Sequence, residues 1–444
     1  MYARKSLYIL HTLALIICAN CFIPLALTGA LWAVFPLLLL FVGVDLIVLL
    51  CRRRYYGLRL NICANGTALL KIFLPSCVVS VIYHIYQTTA MQGQGLLIAG
   101  SILLSVAAHS VIYLHAVISV YCTSVQLGIK HRVVGLILAF IPLINIIQLI
   151  RMIRILSAEV AFETGKADEE RLRKDMRLCA TRYPILLVHG VFFRDSKYLN
   201  YWGRIPKSLE LNGASVFYGD HQSAASVEDS AWELTERIKD VCRKQGCDKV
   251  NIIAHSKGGL DCRYAIACCG AAEYVASLTT INTPHRGCEF VDHFLNAIPL
   301  DTQQKIADTY NSTLKKFGDH DPDFIAAVRD LTANACLDRD REMLALEDKG
   351  ILRQSVGSVL PRASGGKFPL NFTYALAKPF SGPNDGLVAE SSFEWGEKYT
   401  RLTPTGKRGI SHGDVIDLNR ENIAGFDVRE FYVQLVNELK MNGL

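Results

Sequence analysis

The sequence of 444 residues has few of the features that mark metal-binding or repetitive proteins. It contains no internal repeat and no low-complexity segment. Among its 14 cysteines, neither Cys242 with Cys247 nor Cys262 with Cys268 and Cys269 has the CxxC spacing of a zinc site. We therefore expect no metal, and we expect free thiols in a reducing compartment.

Excess positive charge is also scarce. The net charge of +6 is small for this length, and much of the basic character lies at the ends of apolar runs, as in residues 52–54, Lys130 and Arg132. A nucleic-acid-binding protein clusters such charge on one face, whereas basic residues beside apolar runs mark the cytoplasmic side of a membrane. The charge pattern indicates membrane topology and argues against a nucleic-acid partner.

Long apolar runs are confined almost entirely to the first 150 residues. Four runs approach the length of about 20 residues that crosses a bilayer, at residues 7–27, 30–50, 68–86 and 96–122. A fifth run, residues 133–150, is interrupted by Pro142, Asn145 and Gln148, and it either spans the membrane or lies at its surface. The pattern predicts an all-α transmembrane region of four or five helices within residues 1–155.

Two ionisable residues lie inside these apolar runs. Asp45 lies about two turns before Arg52, and Lys71 lies near the start of the next predicted helix, so both are expected near the same face of the bilayer. We interpret them as an ion pair or as side chains that reach the interface. A functional role is the alternative, because ionisable residues in a membrane often serve one.

The pattern changes after the last apolar run. Residues 156–182 carry charges of both signs, which indicates a solvated, helical connector. From residue 183 to 444, short apolar strands alternate with amphipathic helices, which predicts an α/β fold with a mostly parallel sheet flanked by helices. The predicted strands are residues 185–188, 214–218, 250–254, 278–282, 372–377 and 399–402. Residues 288–360 are predicted as a lid-like helical insertion.

The segment Ala-His-Ser-Lys-Gly-Gly at residues 254–259 follows a predicted strand and opens a predicted helix. A nucleophile elbow requires this context, because its serine is held on a tight turn between small residues. Gly258 fills the second glycine position of the GxSxG pattern, and Ala254 replaces the first. The pattern predicts Ser256 as a nucleophile; the alternative is an ordinary turn with an exposed serine.

A serine hydroxyl becomes a nucleophile when a histidine takes its proton and an acid orients that histidine. After a nucleophile elbow these residues follow in the order Ser, Asp, His. Asp385 lies in a turn after strand-like sequence, and His412 lies in a loop of small residues before the last predicted helix. Order and placement predict Asp385 and His412 as the partners of Ser256, in preference to Asp414 or Asp417.

An oxyanion hole requires backbone N–H groups rather than particular side chains. His189 and Gly190 follow the first predicted strand, where the chain turns over the predicted nucleophile. We expect the N–H groups of Val191 and Lys257 to be the two donors. The alternative for His189 and Gly190 is a plain turn that ends a strand.

Together these segments resemble the bacterial triacylglycerol lipases of the α/β-hydrolase superfamily. Residues 183–190 are similar to the oxyanion strand of that family, residues 254–259 to its elbow and residues 283–287 to the turn after its next strand. Residues 384–388, and His412 with Asp414, are similar to the loops that carry its aspartate and histidine. The resemblance implies the α/β-hydrolase fold, with the helical insertion in the position of a lid.

The resemblance also implies a structural calcium ion beside the histidine loop, since Asp414 matches one of its ligands in related secreted lipases. This sequence departs from that pattern, because the position four residues after Asp414 is Leu418 and residues 361–383 hold no acid. We therefore expect no cofactor. The acidic run at residues 319–323 is interpreted as a solvated turn, since its spacing matches no calcium loop.

These observations predict a multi-pass, membrane-anchored serine hydrolase that cleaves carboxylic esters of lipids through an acyl-enzyme on Ser256. Acyl transfer to a lipid alcohol would use the same residues, and a non-catalytic membrane scaffold is the alternative from another class. The expected partners are the bilayer and a lipid or acyl-ester substrate. The sequence does not specify the acyl length, the head group or the oligomeric state.

The side of the membrane that holds the catalytic domain depends on residues 133–150. If residues 133–150 span the membrane, the basic residues after them face outward, namely Arg151, Arg154 and those of the connector. Eight cysteines then lie in an oxidising space. If residues 133–150 are re-entrant or interfacial, the catalytic domain lies in the cytoplasm. We favour the cytoplasmic placement, although the resembling lipases are mostly secreted.

Overall fold

The computed structural model describes residues 2–50, 57–139, 141, 143–191, 200–316, 318–344, 350–405 and 408–444. The chain divides into two compact units, residues 1–169 and residues 170–444. Each unit has a hydrophobic core of its own.

The first unit consists of helices. Helices α1 to α7 are Tyr2–Asn20, Phe22–Leu27, Val34–Leu50, Leu58–Ala90, Gly95–Thr123, Gly128–Leu138 and Ile144–Leu172. Buried apolar side chains from five of these helices form the core, among them Leu15, Phe41, Leu69, Ile112 and Leu156. Many other large apolar side chains of this unit are exposed, which fits a helical bundle whose outer surface faces lipid.

Three segments are apolar and long enough to cross a membrane, namely Leu31–Val48, Leu58–Ala90 and Gly95–Thr123. The predicted span at residues 7–27 is not one continuous helix, because α1 ends at Asn20. Pro24 explains this break, since it lacks an N–H group for the carbonyl of Asn20 and its ring crowds that carbonyl. Within the described residues, three segments of spanning length are found where the sequence pattern predicts four or five, and a shorter apolar helix, Ser6–Asn20, accompanies them.

The fifth apolar run is divided between two helices. Helix α6 ends at Leu138 and α7 begins at Ile144, while Pro142 lies outside the described residues. Helix α7 continues to Leu172, so the predicted connector is helical from residue 156 to residue 172. Neither α6 nor α7 is among the three segments of spanning length.

The second unit is built on a six-stranded sheet. Strands β1 to β6 are Ile185–Val188, Val216–Tyr218, Val250–His255, Val275–Ile281, Leu352–Ser358 and Lys398–Leu402. Their order is β2-β1-β3-β4-β5-β6, and every neighbouring pair is parallel. Strands β1, β3 and β4 are buried along their whole length, as expected when helices cover both faces of a sheet. The carboxyl ends of all six strands meet at one edge.

Nine helices of the described residues accompany the sheet. Helices α8 to α16 are Ile205–Leu211, Val227–Gln245, Lys257–Cys268, Glu289–Ala297, Leu300–Lys316, Phe324–Arg329, Ala333–Leu344, Leu370–Ser381 and Val428–Met441. Helix α9 begins where Ser226 accepts the N–H of Asp229 and ends at Gly246, whose φ is +62°. The predicted fold class, an α/β-hydrolase fold with a parallel sheet flanked by helices, is confirmed.

Two predictions in this unit are wrong. Residues 372–377, predicted as a strand, lie within α15, and β5 is a strand that the sequence pattern does not indicate. Strand β5 is central but polar: its Gln354 donates to Thr279 of β4 at 2.9 Å, and its Ser355 donates to a main-chain carbonyl. The helical insertion, predicted for residues 288–360, therefore ends before β5 and comprises α11 to α14 in the described part of the chain.

Candidate active site

Ser256 lies on a strained turn between β3 and α10. Its φ is +55° and its ψ is −132°, a conformation that residues other than glycine rarely adopt. A Cβ atom at Gly258 would lie 2.3 Å from the carbonyl oxygen of His189, so only glycine fits there. The segment therefore has the geometry of a nucleophile elbow, with Ser256 at its tip.

His412 and Asp385 form a hydrogen-bonded pair, with Nδ1 of His412 2.6 Å from Oδ2 of Asp385. The Asp385 side chain is fully buried. Its Oδ1 accepts the N–H groups of Leu387 and Val388, each at 2.9 Å, and its Oδ2 also accepts the amide of Asn282 at 2.6 Å. Because a carboxylate only accepts hydrogen bonds, Nδ1 of His412 carries the proton and Nε2 is left to act as a base.

The two other acids near His412 face different partners. Oδ1 of Asp414 lies 3.0 Å from Nη2 of Arg408. Oδ1 of Asp417 lies 2.7 Å from Nη2 of Arg204. Asp385 is therefore the acid that the structure brings to His412.

Ser256 and His412 are not joined directly. The ring of His412 lies 4.4 Å from the ring of His255, the residue before the predicted nucleophile. Between these described residues the Ser256 hydroxyl makes no hydrogen bond to His412. Such contacts often tighten only when substrate binds. Both side chains are mostly buried, with exposed fractions of 7% and 8%.

The loop after β1 passes directly over the elbow. A Cβ atom at Gly190 would lie 2.8 Å from Cβ of Ser256. The N–H of Lys257 belongs to the first turn of α10, where helical N–H groups have no partner within the helix. Neither this N–H nor that of Val191 donates to another described residue. Their role as oxyanion donors stays a prediction.

Two residues at this site are not identified by the sequence analysis. The hydroxyl of Tyr201 accepts the N–H of Gly190 at 3.0 Å and donates to Nδ1 of His255 at 2.6 Å, so it ties the loop after β1 to the elbow. Asn282 donates to both Asp385 and Ser358. Asn282 directly follows a parallel strand, which is a usable sequence signal, whereas no pattern connects Tyr201 to Gly190.

The electrostatics of the site keep one imidazole neutral. Burial, and then the neighbouring His412, lower the pKa of His255 well below its usual value. A neutral His255 can accept the Tyr201 hydroxyl, and it places no second positive charge beside His412.

A buried ion pair lies behind the elbow. Nζ of Lys257 lies 2.6 Å from Oδ1 of Asp261 and 3.1 Å from Oγ of Ser230 on α9. Burial raises the pKa of Asp261 to about 6, while Lys257 acts in the opposite direction. The pair ties the first turn of α10, which includes the Lys257 amide, to the neighbouring helix.

A cavity of about 540 Å³ lies in the first unit rather than at Ser256. Helices α4 and α5 line it, with mostly apolar surface and with the side chains of Cys77, His84 and His109. None of the predicted site residues lines this cavity. It is separate from the chemistry of the elbow.

Comparisons with known proteins identify similar hydrolases. Residues 184–320 match the family model of palmitoyl protein thioesterase. A triacylglycerol lipase of Pseudarthrobacter phenanthrenivorans is 36% identical over 165 residues, which cover 34% of this chain and 51% of that protein. A triacylglycerol lipase of Vibrio cholerae is 28% identical over 290 residues, which cover 60% of this chain and 89% of that protein. The crystal structure of Staphylococcus hyicus lipase aligns with a TM-score of 0.45 and 18% identity over 59% of this chain and 98% of that chain.

The predicted similarity to triacylglycerol lipases is thereby confirmed. The chain spans about half the length of the first curated relatives it matches, 51% of one and 46% of another. The matched segment of the family model includes Ser256 but ends before Asp385 and His412. The second unit is accordingly similar to hydrolases of the lipase and esterase kind.

Proposed function

We propose that this protein is a membrane-anchored serine hydrolase that cleaves carboxylic esters of lipids. The observation that carries the proposal is the 2.6 Å hydrogen bond between His412 and Asp385, at the strand edge where Ser256 lies on its strained turn. Relatives named as triacylglycerol lipases support lipid esters as the substrate class. Three helices of spanning length support the membrane anchor.

In the acylation step, the Ser256 hydroxyl oxygen bonds to the acyl carbon of the ester while Nε2 of His412 takes the hydroxyl proton. The carbonyl oxygen becomes an oxyanion, to which the N–H groups of Val191 and Lys257 donate hydrogen bonds. When the carbonyl re-forms, the bond to the leaving alcohol oxygen breaks. That oxygen takes the proton from His412, and the acyl group remains on Ser256.

In the deacylation step, water attacks the acyl carbon and gives its proton to His412. The second oxyanion collapses, the bond to Ser256 breaks, and the serine oxygen takes the proton back. Asp385 keeps the imidazole in the required tautomer throughout and stabilises its charged form. The neutral His255 ring leaves that charge unopposed.

A thioester is the second candidate substrate, because residues 184–320 match the palmitoyl protein thioesterase model. The same steps apply, with a thiolate as the leaving group instead of an alkoxide. An acyl ester and an acyl thioester of equal chain length, compared by kcat/KM, separate the two candidates. Acyl transfer to a lipid alcohol would instead give a new ester when monoacylglycerol is added to the assay.

Labelling with a fluorophosphonate tests the nucleophile. The purified full-length protein in detergent should be labelled, and Ser256→Ala should abolish the labelling. Ser312→Ala, which removes a hydroxyl from α12, is the matched control and should leave it unchanged. Labelling that persists in Ser256→Ala would assign the nucleophile to another serine, and no labelling of the wild type would favour a non-catalytic scaffold.

We also propose that α11 to α14 act as a lid over an apolar site. Large apolar side chains of these helices are exposed, including Phe294 of α11, Leu300 of α12 and Leu337 of α14, with exposed fractions of 46%, 71% and 48%. Phe294→Ser with Leu300→Ser should lower activity on an emulsified long-chain ester more than on a soluble short-chain ester. Trp232→Ser removes an equally exposed aromatic from α9 and serves as the control. Equal losses on both esters would make these residues merely structural.

The cytoplasmic placement of the catalytic unit remains part of the proposal, supported by the basic residues of the connector. Cys247 and Cys268 are partly exposed and can report on it. A membrane-impermeant thiol reagent should label them only after cells are lysed. The variant with both residues changed to serine gives the background. Labelling of the two cysteines in intact cells would place the unit outside.

A further inference from the structure

The loop that carries His412 is closed by Asp414. Oδ2 of Asp414 accepts the N–H of Ser411 at 3.0 Å and its hydroxyl at 2.7 Å. The N–H of His412 donates to the carbonyl oxygen of Asp385 at 2.9 Å. Because Ser411 and Asp414 lie on either side of His412, this closure fixes the main chain that presents the imidazole.

The remaining oxygen of Asp414 faces a guanidinium group. Nη2 of Arg408 lies 3.0 Å from Oδ1 of Asp414 and also binds the carboxylate of Glu421, and Nε of Arg408 donates to the carbonyl oxygen of Gly365 at 3.1 Å. One cation thus joins two carboxylates and one main-chain carbonyl. Carboxylate and carbonyl oxygens are also the ligands that calcium takes in proteins.

The residues present do not fit the calcium ion that the resemblance implies. Both oxygens of Asp414 already have partners, one in Arg408 and the other in Ser411. A second cation, Lys367, forms an ion pair with Glu421. A divalent ion among these groups would meet two positive charges. In addition, no group of three histidine, cysteine or acidic side chains in the described part of the chain could hold a metal.

We propose that Arg408 takes the place of this structural calcium, so that an internal guanidinium holds the His412 loop without a metal. Arg408 touches no reacting atom, so it is a positioning residue that acts through Asp414. Its planar fork suits the task, since it has several N–H donors in a fixed geometry and a charge that does not titrate. The side chain is about one-quarter exposed, whereas Asp414 is almost fully buried, at 2%.

The kinetic test of this inference rests on the proposed function, because it measures hydrolysis. A melting curve tests the inference independently of that function. The full-length protein in detergent should have the same melting temperature and the same kcat with a chelator as with added calcium. Arg408→Met should lower the melting temperature and reduce kcat about tenfold or more, with KM little changed, because a small displacement of a catalytic base slows the chemical step.

Arg401→Met is the matched control, since it removes an arginine whose ion pair with Glu390 lies on the exposed strand β6. Arg401→Met should change neither the melting temperature nor kcat. Added guanidinium ion should restore part of the kcat of Arg408→Ala, and Arg408→Lys should keep part of it. A merely structural arginine would give a lower melting temperature without such rescue.

Three results would overturn the inference: a wild-type melting temperature that falls in chelator and recovers with calcium, an Arg408→Met variant that behaves like Arg401→Met, or no guanidinium rescue of Arg408→Ala. If Arg408→Met does not fold, the chelator experiment on the wild type and the Arg408→Lys variant still decide whether Arg408 or a metal ion holds the His412 loop. The melting experiments can be run on Ser256→Ala protein. If the protein has no hydrolase activity, these melting experiments still show whether calcium stabilises it.

Discussion

Both units of the protein bury an aspartate against histidine, but they hold it in different ways. In the second unit, Asp385 lies 2.6 Å from His412, in loops that follow α15 and β6 respectively. In the first unit, Asp45 lies 2.5 Å from Nδ1 of His115 and 3.3 Å from Nε2 of His11, with the three residues on three different helices. The main chain of its loops fixes the first pair, and packing between helices fixes the second cluster.

The comparison shows in which kind of fold the order of residues along the chain predicts which residues contact each other. In a parallel sheet the carboxyl ends of the strands meet at one edge, so residues far apart in sequence are brought together by strand order. In a helical bundle the apolar pattern does not state which helices face each other. Of the two interpretations of Asp45 and Lys71, the ion pair is accordingly wrong, because Asp45 faces two histidines and Lys71 is exposed. The exposure of Lys71 leaves open that its side chain reaches the membrane interface.

The largest expected effect tests the role of the pair in the second unit. Asp385→Asn should lower kcat on a soluble short-chain ester by about 10⁴, because the asparagine favours the wrong histidine tautomer. Asp417→Asn is the control, since its carboxylate faces Arg204 instead. Steady-state kinetics measure both. A larger loss of kcat for Asp417→Asn than for Asp385→Asn would assign the orienting role to Asp417. A loss of kcat for Asp414→Asn that exceeds the loss for Arg408→Met would assign it to Asp414.

The same contrast explains how much of the molecule could be predicted. The elbow, the acid turn and the histidine loop carry local sequence signals, and strand order combines them. Strand β5 is missed because its polar Gln354 and Ser355 are buried by hydrogen bonds rather than by apolar contact. Helix α15 is misread because aromatic residues such as Phe372 favour strands when tertiary contacts are unknown. The contact of Tyr201 with Gly190 depends on a loop path that no local pattern encodes.

The next effect concerns the buried ion pair behind the elbow. Lys257→Met should destabilise the protein by about 3–5 kcal/mol, because it leaves the buried Asp261 without its cation. Adding Asp261→Leu to that variant should restore much of the loss, since an apolar pair of similar volume needs no partner. Thermal unfolding of the full-length protein in detergent gives both values. If the double variant is no more stable than Lys257→Met, the loss comes from packing and not from the unpaired charge.

The pH dependence of the same pair gives a smaller effect. The pKa of Asp261 is raised to about 6 by burial, so the folded state holds this proton more tightly than the unfolded chain. Its contribution to stability is present in full below about pH 4 and is lost as the pH rises through about 6, by about 3 kcal/mol at most. The wild type should therefore lose stability relative to Asp261→Asn over this range. If the melting temperatures of the wild type and Asp261→Asn differ by the same amount across this pH range, the pKa of Asp261 lies outside the range.

The smallest effect tests the cluster in the first unit. Asp45→Asn should lower the melting temperature by an amount equivalent to about 1–3 kcal/mol, because a buried carboxylate that bonds His115 and faces His11 is replaced by a neutral amide. The kcat on a soluble short-chain ester should stay within about twofold, since the change leaves His412 and Asp385 untouched. Lys71→Met is the matched control and should leave the melting temperature unchanged, because that side chain is exposed. Equal losses at Asp45 and Lys71 would restore the ion pair expected from the sequence. A large fall in kcat for Asp45→Asn would instead mean that the two units are coupled, and that the buried cluster serves catalysis as well as stability.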